Sequence, residues 1–249
     1  MREVCFSYLF SAGGLLSAFR IAFMVPNLVR RLFGEGALSA AFIPVFTQAL
    51  KDPDENHARR LAGGVLTLLV SILVAIVIVA EGALLIANAM HPSPTLTFTI
   101  IMLPFMGFIC VTAFLGGTLN ALQRFAAPAA APIILNIFII AAFCAGGYGA
   151  GWTGLPLIQL VCVAVLAAGV CQVALLLVSL RRTRFRIALN RDWSHPDIRE
   201  ITKFMIPMIV GLSTVQLNTL LDMLIALFLI PDGRGPAVLG YAHFLYQLP

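Results

Sequence analysis

The chain has 249 residues, of which 60% are apolar and 11% charged, whereas soluble domains carry about a quarter charged residues. That composition excludes an ordinary soluble domain and marks a polytopic membrane protein. The formal charge of +5, from 16 basic and 11 acidic residues, comes from side chains placed between apolar runs. Basic residues spread in that way do not form the patch on a soluble face that nucleic acid requires, so nucleic acid is not an expected partner.

In chain order, a short apolar segment at about residues 2–12 is followed by a long interrupted one over 15–50. Further segments lie near 61–89, 96–121, 130–150, 155–180 and 203–230, and a last begins near 236. Residues 125–180 contain no Asp, Glu, Lys or Arg, which is room for two helices of roughly 20 residues across a ~30 Å hydrocarbon core. The pattern predicts an all-α, polytopic helix bundle of about seven spans plus the start of an eighth. The short first and last segments read as those of a fragment.

Charge alternates between the connections. Lys51, Arg59, Arg60, Arg124, Arg181, Arg182, Arg184, Arg186, Arg191, Arg199 and Lys203 fall in alternate loops, while the opposite loops hold only Arg234. The positive-inside rule makes the first set cytoplasmic and starts the N-terminus on the same side. The stretch from Arg181 to Lys203 reads as a topology determinant with an interfacial helix, Trp193 lying at the headgroups, or as a docking site for anionic lipid. A weak echo between residues 2–26 and 222–249 resembles the internal repeats of transporters.

Charges within spans usually face a polar cavity or a partner. The second segment carries Arg20, Arg30, Arg31 and Glu35 together with Pro26, Gly34, Gly36 and Pro44. Broken helices with charges near the break form midplane binding sites; the other reading has Arg30 and Arg31 snorkelling to an interface with Glu35 paired to one of them. Arg2 either joins the same cationic site or is a cytoplasmic anchor. Thr214, Asn218 and Asp222 recur at i, i+4 on one helical face with Gly211, and Thr112, Gly116 and Asn120 repeat the pattern in the fourth segment. Such stripes serve interhelical packing or line a cavity. Glu81, after the uncharged run Leu61 to Ala80, is expected at the outer interface.

No GxxxxGK[ST], HExxH or GxSxG signature is present, so no enzyme, catalytic residue or cofactor is expected. Asp52, Asp54 and Glu55 read as a solvated cytoplasmic turn after Pro53, the other reading being a divalent-ion site for diphosphate chemistry. His57, His91, His195 and His243 are scattered and form no ligand set, so no metal is expected. The five cysteines, Cys5, Cys110, Cys144, Cys162 and Cys171, lack CxxC or Cys/His spacing and read as small buried hydrophobes.

The run Pro26-Asn27-Leu28-Val29-Arg30-Arg31-Leu32-Phe33-Gly34-Glu35-Gly36-Ala37-Leu38-Ser39-Ala40-Ala41-Phe42-Ile43-Pro44 closely resembles the lipid II flippase family MurJ (MviN-like). The similarity extends to Leu119-Asn120-Ala121-Leu122-Gln123-Arg124-Phe125 with Pro128 and Ala131-Pro132, and to the Tyr241-Ala242 to Leu248-Pro249 end. It covers essentially this whole chain and the first half of a family member.

The resemblance implies a two-lobe flippase fold that moves undecaprenyl-diphosphate-linked muropeptide, lipid II, from the inner to the outer leaflet of the bacterial plasma membrane. Membrane lipids and the cell-wall synthesis machinery are the other implied partners. It further implies a cationic cavity for the diphosphate head, matching Arg2 and Arg30, with Arg31 and Glu35 in the neighbouring motif. Residues 1–180 would be the N-terminal lobe, 181–202 a basic connection and 203–249 the start of the second lobe. Ser17 stands where the family commonly has an acidic residue, His243 and Phe244 replace an Asp-Arg pair, and Arg20 is an added cation. The substrate-binding set expected is therefore Arg2, Arg20, Arg30, Arg31, Glu35, Asn218 and Asp222. The competing readings are a related polysaccharide or multidrug exporter, which for cationic drugs would favour acidic cavity residues, and a membrane polyprenyl-diphosphate enzyme, which would need an acidic metal site.

Overall fold

A computed structural model describes residues 6, 13–32, 38–183, 185–229 and 234–246. Its regular elements are helical: α1 (Gly14–Val29), α2 (Leu38–Ala49), α3 (Glu55–Met90), α4 (Pro94–Met102), α5 (Phe105–Ala121), α6 (Ala126–Ala142), a π-helical turn at Phe143–Gly149, α7 (Leu155–Arg182), α8 (Pro196–Leu229) and α9 (Gly235–Tyr246). Five stretches among the described residues are long and apolar enough to cross a membrane, with α4 and α5 forming one of them. The first predicted segment, apart from Phe6, lies outside the described residues.

The long interrupted segment resolves into two helices. In α1 the buried positions Leu16, Phe19, Ala22 and Pro26 recur every three or four residues, the spacing of a single helical face. Pro26 has no N–H to donate to the preceding turn, and the helix passes into a π-type turn over residues 30–32. In α2, Phe42 and Phe46 stack at 4.9 Å, with Phe42 4.8 Å from Phe114 and Phe46 edge-on to Phe185 at 5.5 Å. Pro104 likewise separates α4 from α5.

The Asp54 side chain caps α3 by accepting from the Asn56 N–H at 3.0 Å. With 36 residues, α3 is about 54 Å long, more than the hydrocarbon thickness. Its first half buries Ala58, Leu61, Ala62, Val65, Leu69 and Leu73, whereas Ile78, Val79, Leu85 and Ile86 beyond them are exposed. Apolar exposure on this scale suits contact with lipid tails, which need no other cover. Glu81 is half-buried, directly after the apolar run.

The core lies where α7 packs along α5 and α6, and α1 along α4 and α5. The approach of α7 to α5 is close at Gly169, where a Cβ would stand 2.8 Å from the Phe105 ring. Two cysteines, Cys110 and Cys162, are buried as expected; Cys144 and Cys171 are exposed, because they fall on outward faces of otherwise apolar helices. α2 and α9 pack against α8, but the most apolar stretch of α8 has none of its residues buried within the chain.

The expected interfacial helix between α7 and α8 does not form. Residues 185–192 run without regular structure, and their backbone bonds instead to α3. The Ala188 N–H donates to Arg59 O at 3.2 Å, Asn190 Nδ2 to Arg60 O at 2.8 Å, and Thr67 Oγ1 to Asn190 O. Trp193 Nε1 donates to Thr67 Oγ1 at 3.3 Å, so its indole is held by α3.

Candidate functional site

The break after α1 opens onto a cavity of about 660 Å³ bounded by α1, α2, α5, α6 and α7. Such a volume is ordinary for a small-molecule site. Arg30, at the end of α1, lines it and is its one formal charge among the described lining residues. The Arg30 Nε donates to Asn27 Oδ1 at 3.2 Å, which fixes the guanidinium relative to the helix end. The remaining polar lining is uncharged: Thr112 and Asn120 from α5, Asn136 from α6 and Gln172 from α7.

Two of these side chains present buried polar atoms with no protein partner. Gln172 is 3% exposed and donates through Nε2 to Ala131 O at 2.7 Å, yet its Oε1 accepts nothing, and Thr112 Oγ1 is likewise without a hydrogen bond. A buried polar atom left unpaired costs about 1–3 kcal/mol, so a ligand supplying hydroxyl or amide groups gains by satisfying them. Gly116 and Gly117 keep the α5 wall low, and the nearest atoms to a Cβ at Gly116 would be those of Pro128.

The expected residues are only partly brought together. Arg30 lines the cavity, whereas Arg31 is exposed beside it in sequence. Arg20 lies one face away: its guanidinium sits 4.6 Å from the centroid of the Tyr241 ring, and a Cβ at Gly240 would overlap its Nη1. Ser17 is buried, and its Oγ accepts from the Ala237 N–H at 3.3 Å in the first turn of α9. Asn218 and Asp222 are exposed on α8, as is Thr214, away from the cavity. Arg2 and Glu35 lie outside the described residues, as do the side chains of His243 and Phe244.

A second polar cluster sits where α3 and α8 begin. His57 Nδ1 is 2.8 Å from Asp52 Oδ2 and His57 Nε2 is 2.6 Å from Asp197 Oδ2. Arg60 pairs with Asp54. Hydrogen bonds from the Asp54 backbone N–H and from the His57 ring hold the Asp52 carboxyl below its ordinary range. The turn at Asp52 and Asp54 is solvent-exposed as expected, but His57 and His195, scattered in sequence, lie with ring centroids 5.7 Å apart. They meet because the connection folds back along α3.

Residues 6–249 match the family model described as lipid II flippase MurJ. The chain belongs to the MurJ family. It is 31% identical, over its whole length, to a probable lipid II flippase MurJ of Rhizobium meliloti (strain 1021), covering 48% of that protein. It is 33% identical to a probable lipid II flippase MurJ of Bdellovibrio bacteriovorus, again with all of this chain and 48% of the relative covered. Among solved structures it resembles a lipid II flippase MurJ in an inward closed conformation, with a TM-score of 0.76 and 26% identity, over 100% of this chain and 51% of the other. The chain thus spans about half the length of the relatives it matches.

In this MurJ-family chain the cavity residues that the sequence does not single out are Gln172, Asn136 and Asn27. Gln172 stands in the charge-free run from 125 to 180, and a buried glutamine there was a signal available in the composition of that run. Thr112, Gly116 and Asn120 were recognised as a stripe; their helix turns that stripe toward the cavity.

Proposed function

We propose that this chain forms the N-terminal lobe of a flippase that carries lipid II from the inner to the outer leaflet by alternating access. The observation that carries the reading is Arg30 at the wall of a cavity whose other polar groups are neutral and partly unsatisfied. A guanidinium stays protonated and binds phosphate oxygens through a planar fork, so Arg30 holds the diphosphate. Thr112, Asn120, Asn136 and Gln172 meet the hydroxyls and amides of the sugar and peptide. A cation at the wall favours an anionic head over a cationic drug.

In this reading residues 1–180 form the first lobe, 181–202 the connection and 203–249 the start of the second lobe. Arg2, Arg31 and Glu35 are further candidates for holding the head, Arg20 adds a cation at the face toward α9, and the exposed Asn218 and Asp222 on α8 are available to the rest of the second lobe. The polyprenyl tail stays among membrane lipids. The protein lies in the bacterial inner membrane with its N-terminus in the cytoplasm, as the loop charges favour, and delivers its cargo to the cell-wall synthesis machinery.

The test is Arg30→Ala in the full-length protein. Membrane insertion is expected to persist while precursor translocation is lost. Wild-type transport in that variant overturns the reading.

A further inference from the structure

The cluster joining the starts of α3 and α8 has no part in the transport cavity, and a neutral His57 leaves one of its two carboxylate contacts without a hydrogen. A neutral imidazole carries one N–H, yet His57 meets a carboxylate oxygen at both ring nitrogens, 2.8 Å on the Asp52 side and 2.6 Å on the Asp197 side. With the N–H on Nδ1 directed to Asp52, the Nε2 lone pair points at a negative oxygen. A second proton or a cation must stand between them.

We propose that His57 Nε2, His195 and Asp197 Oδ2 bind a divalent transition-metal ion of the zinc class. The three side chains present donor atoms within 4.8 Å of one another, and His195 Nδ1 lies 3.8 Å from Asp197 Oδ2. Tetrahedral zinc, with bonds of about 2.0–2.2 Å to nitrogen and oxygen, sets its ligand atoms roughly 3.3 Å apart. The 2.6 and 3.8 Å separations straddle that value, and the remaining pair also lies within 4.8 Å.

Asp52 then takes the outer position expected of a metal-binding histidine, accepting from the far ring nitrogen and fixing its tautomer. Two imidazoles select zinc or its neighbours over magnesium or calcium, which prefer oxygen donors throughout. A space of about 360 Å³ beside the cluster, lined by Asp192 and Asn190 among others, admits the water that completes four-coordination. Asn190 Oδ1 is buried there without a hydrogen-bond donor and can accept from that water. His57 and Asp197 are 140 positions apart, so the ion would tie the beginning of α3 to the beginning of α8.

The experiment uses the chain in detergent after chelator treatment, titrated with Zn²⁺ and with Co²⁺. One Zn²⁺ per chain is expected, with Co²⁺ giving the intense visible bands of tetrahedral coordination and Zn²⁺ abolishing them. His57→Ala and His195→Ala should eliminate the site, Asp52→Asn should weaken it by roughly 10- to 100-fold, and His91→Ala at the far end of α3 should leave it intact. Zinc binding unchanged in both histidine variants overturns the proposal. So does wild-type protein that takes up no metal at micromolar concentrations, the outcome if a second proton alone fills the gap. Should a variant unfold, the wild-type Co²⁺ spectrum decides: weak octahedral bands overturn the site, tetrahedral bands support it.

Discussion

The guanidinium of Arg20 lies over the face of Tyr241, 4.6 Å from its centroid, and thereby links α1 to α9 across more than two hundred positions of sequence. The contact is reinforced one turn away by Ser17, which receives the Ala237 N–H. Cation–π pairs of this kind contribute about 0.5–2 kcal/mol, more when desolvated. Arg20→Ala and Tyr241→Ala should each lower the thermal unfolding midpoint in detergent, and the double variant should lose less than the sum of the two. Additive losses would show that the pair is not coupled.

Gln172 separates a structural from a ligand-binding role. Its carbonyl is buried without a donor, and replacing an unsatisfied buried polar group by an apolar one of similar size is near neutral or stabilising. Gln172→Leu also gives up the bond to Ala131 O, worth about 1 kcal/mol. The expected outcome is a stability within about 1 kcal/mol of wild type with translocation reduced by roughly tenfold, the value of one hydrogen bond to the ligand. A destabilised variant that still transports at the wild-type rate would assign Gln172 to packing alone.

Gly63 tests how the connection is seated. A Cβ there would lie 1.8 Å from Ala188 O, a backbone atom that cannot move without releasing its segment from α3. Gly63→Ala should cost about 1–3 kcal/mol of local stability, the usual range for overpacking. Trypsin would report it as faster cleavage at Arg186 and Arg191, with the rest of the digest unchanged. An unaltered cleavage pattern would mean that residues 185–192 do not depend on this contact.

Helical character, membrane residence and the break in the second segment were legible in the sequence because Pro26, the charges around it and the apolar run lengths each report on them directly. The inward face of each helix was less so. Periodicity distinguishes a core face from a watery one, but in lipid both faces are apolar, and the stripe Thr112, Gly116, Asn120 reads more readily as packing than as cavity lining until α6 and α7 are in place around it. Arg20 shares a helix with Arg30, but the nine intervening residues turn it toward Tyr241. The meeting of His57 with His195 depends on a connection that follows α3 back along its length, and no local spacing encodes that path.

Arg30 and Arg31 are adjacent in sequence and differ in place, which makes them a controlled pair. Arg30 lines the cavity with Nε anchored to Asn27, and Arg31 is exposed. Arg31→Ala should therefore change translocation by no more than about threefold, the range of exposed ionic contacts. Arg30→Lys keeps the charge but loses both the Nε contact with Asn27 and the bidentate fork, and an ammonium is not a substitute where planar recognition of phosphate is needed. Hydrogen bonds to charged groups contribute about 1.5–3 kcal/mol, so Arg30→Lys should retain insertion while losing roughly 10- to 100-fold in transport. Full activity in Arg30→Lys together with a severe defect in Arg31→Ala would exchange the two roles and place the anion outside the cavity.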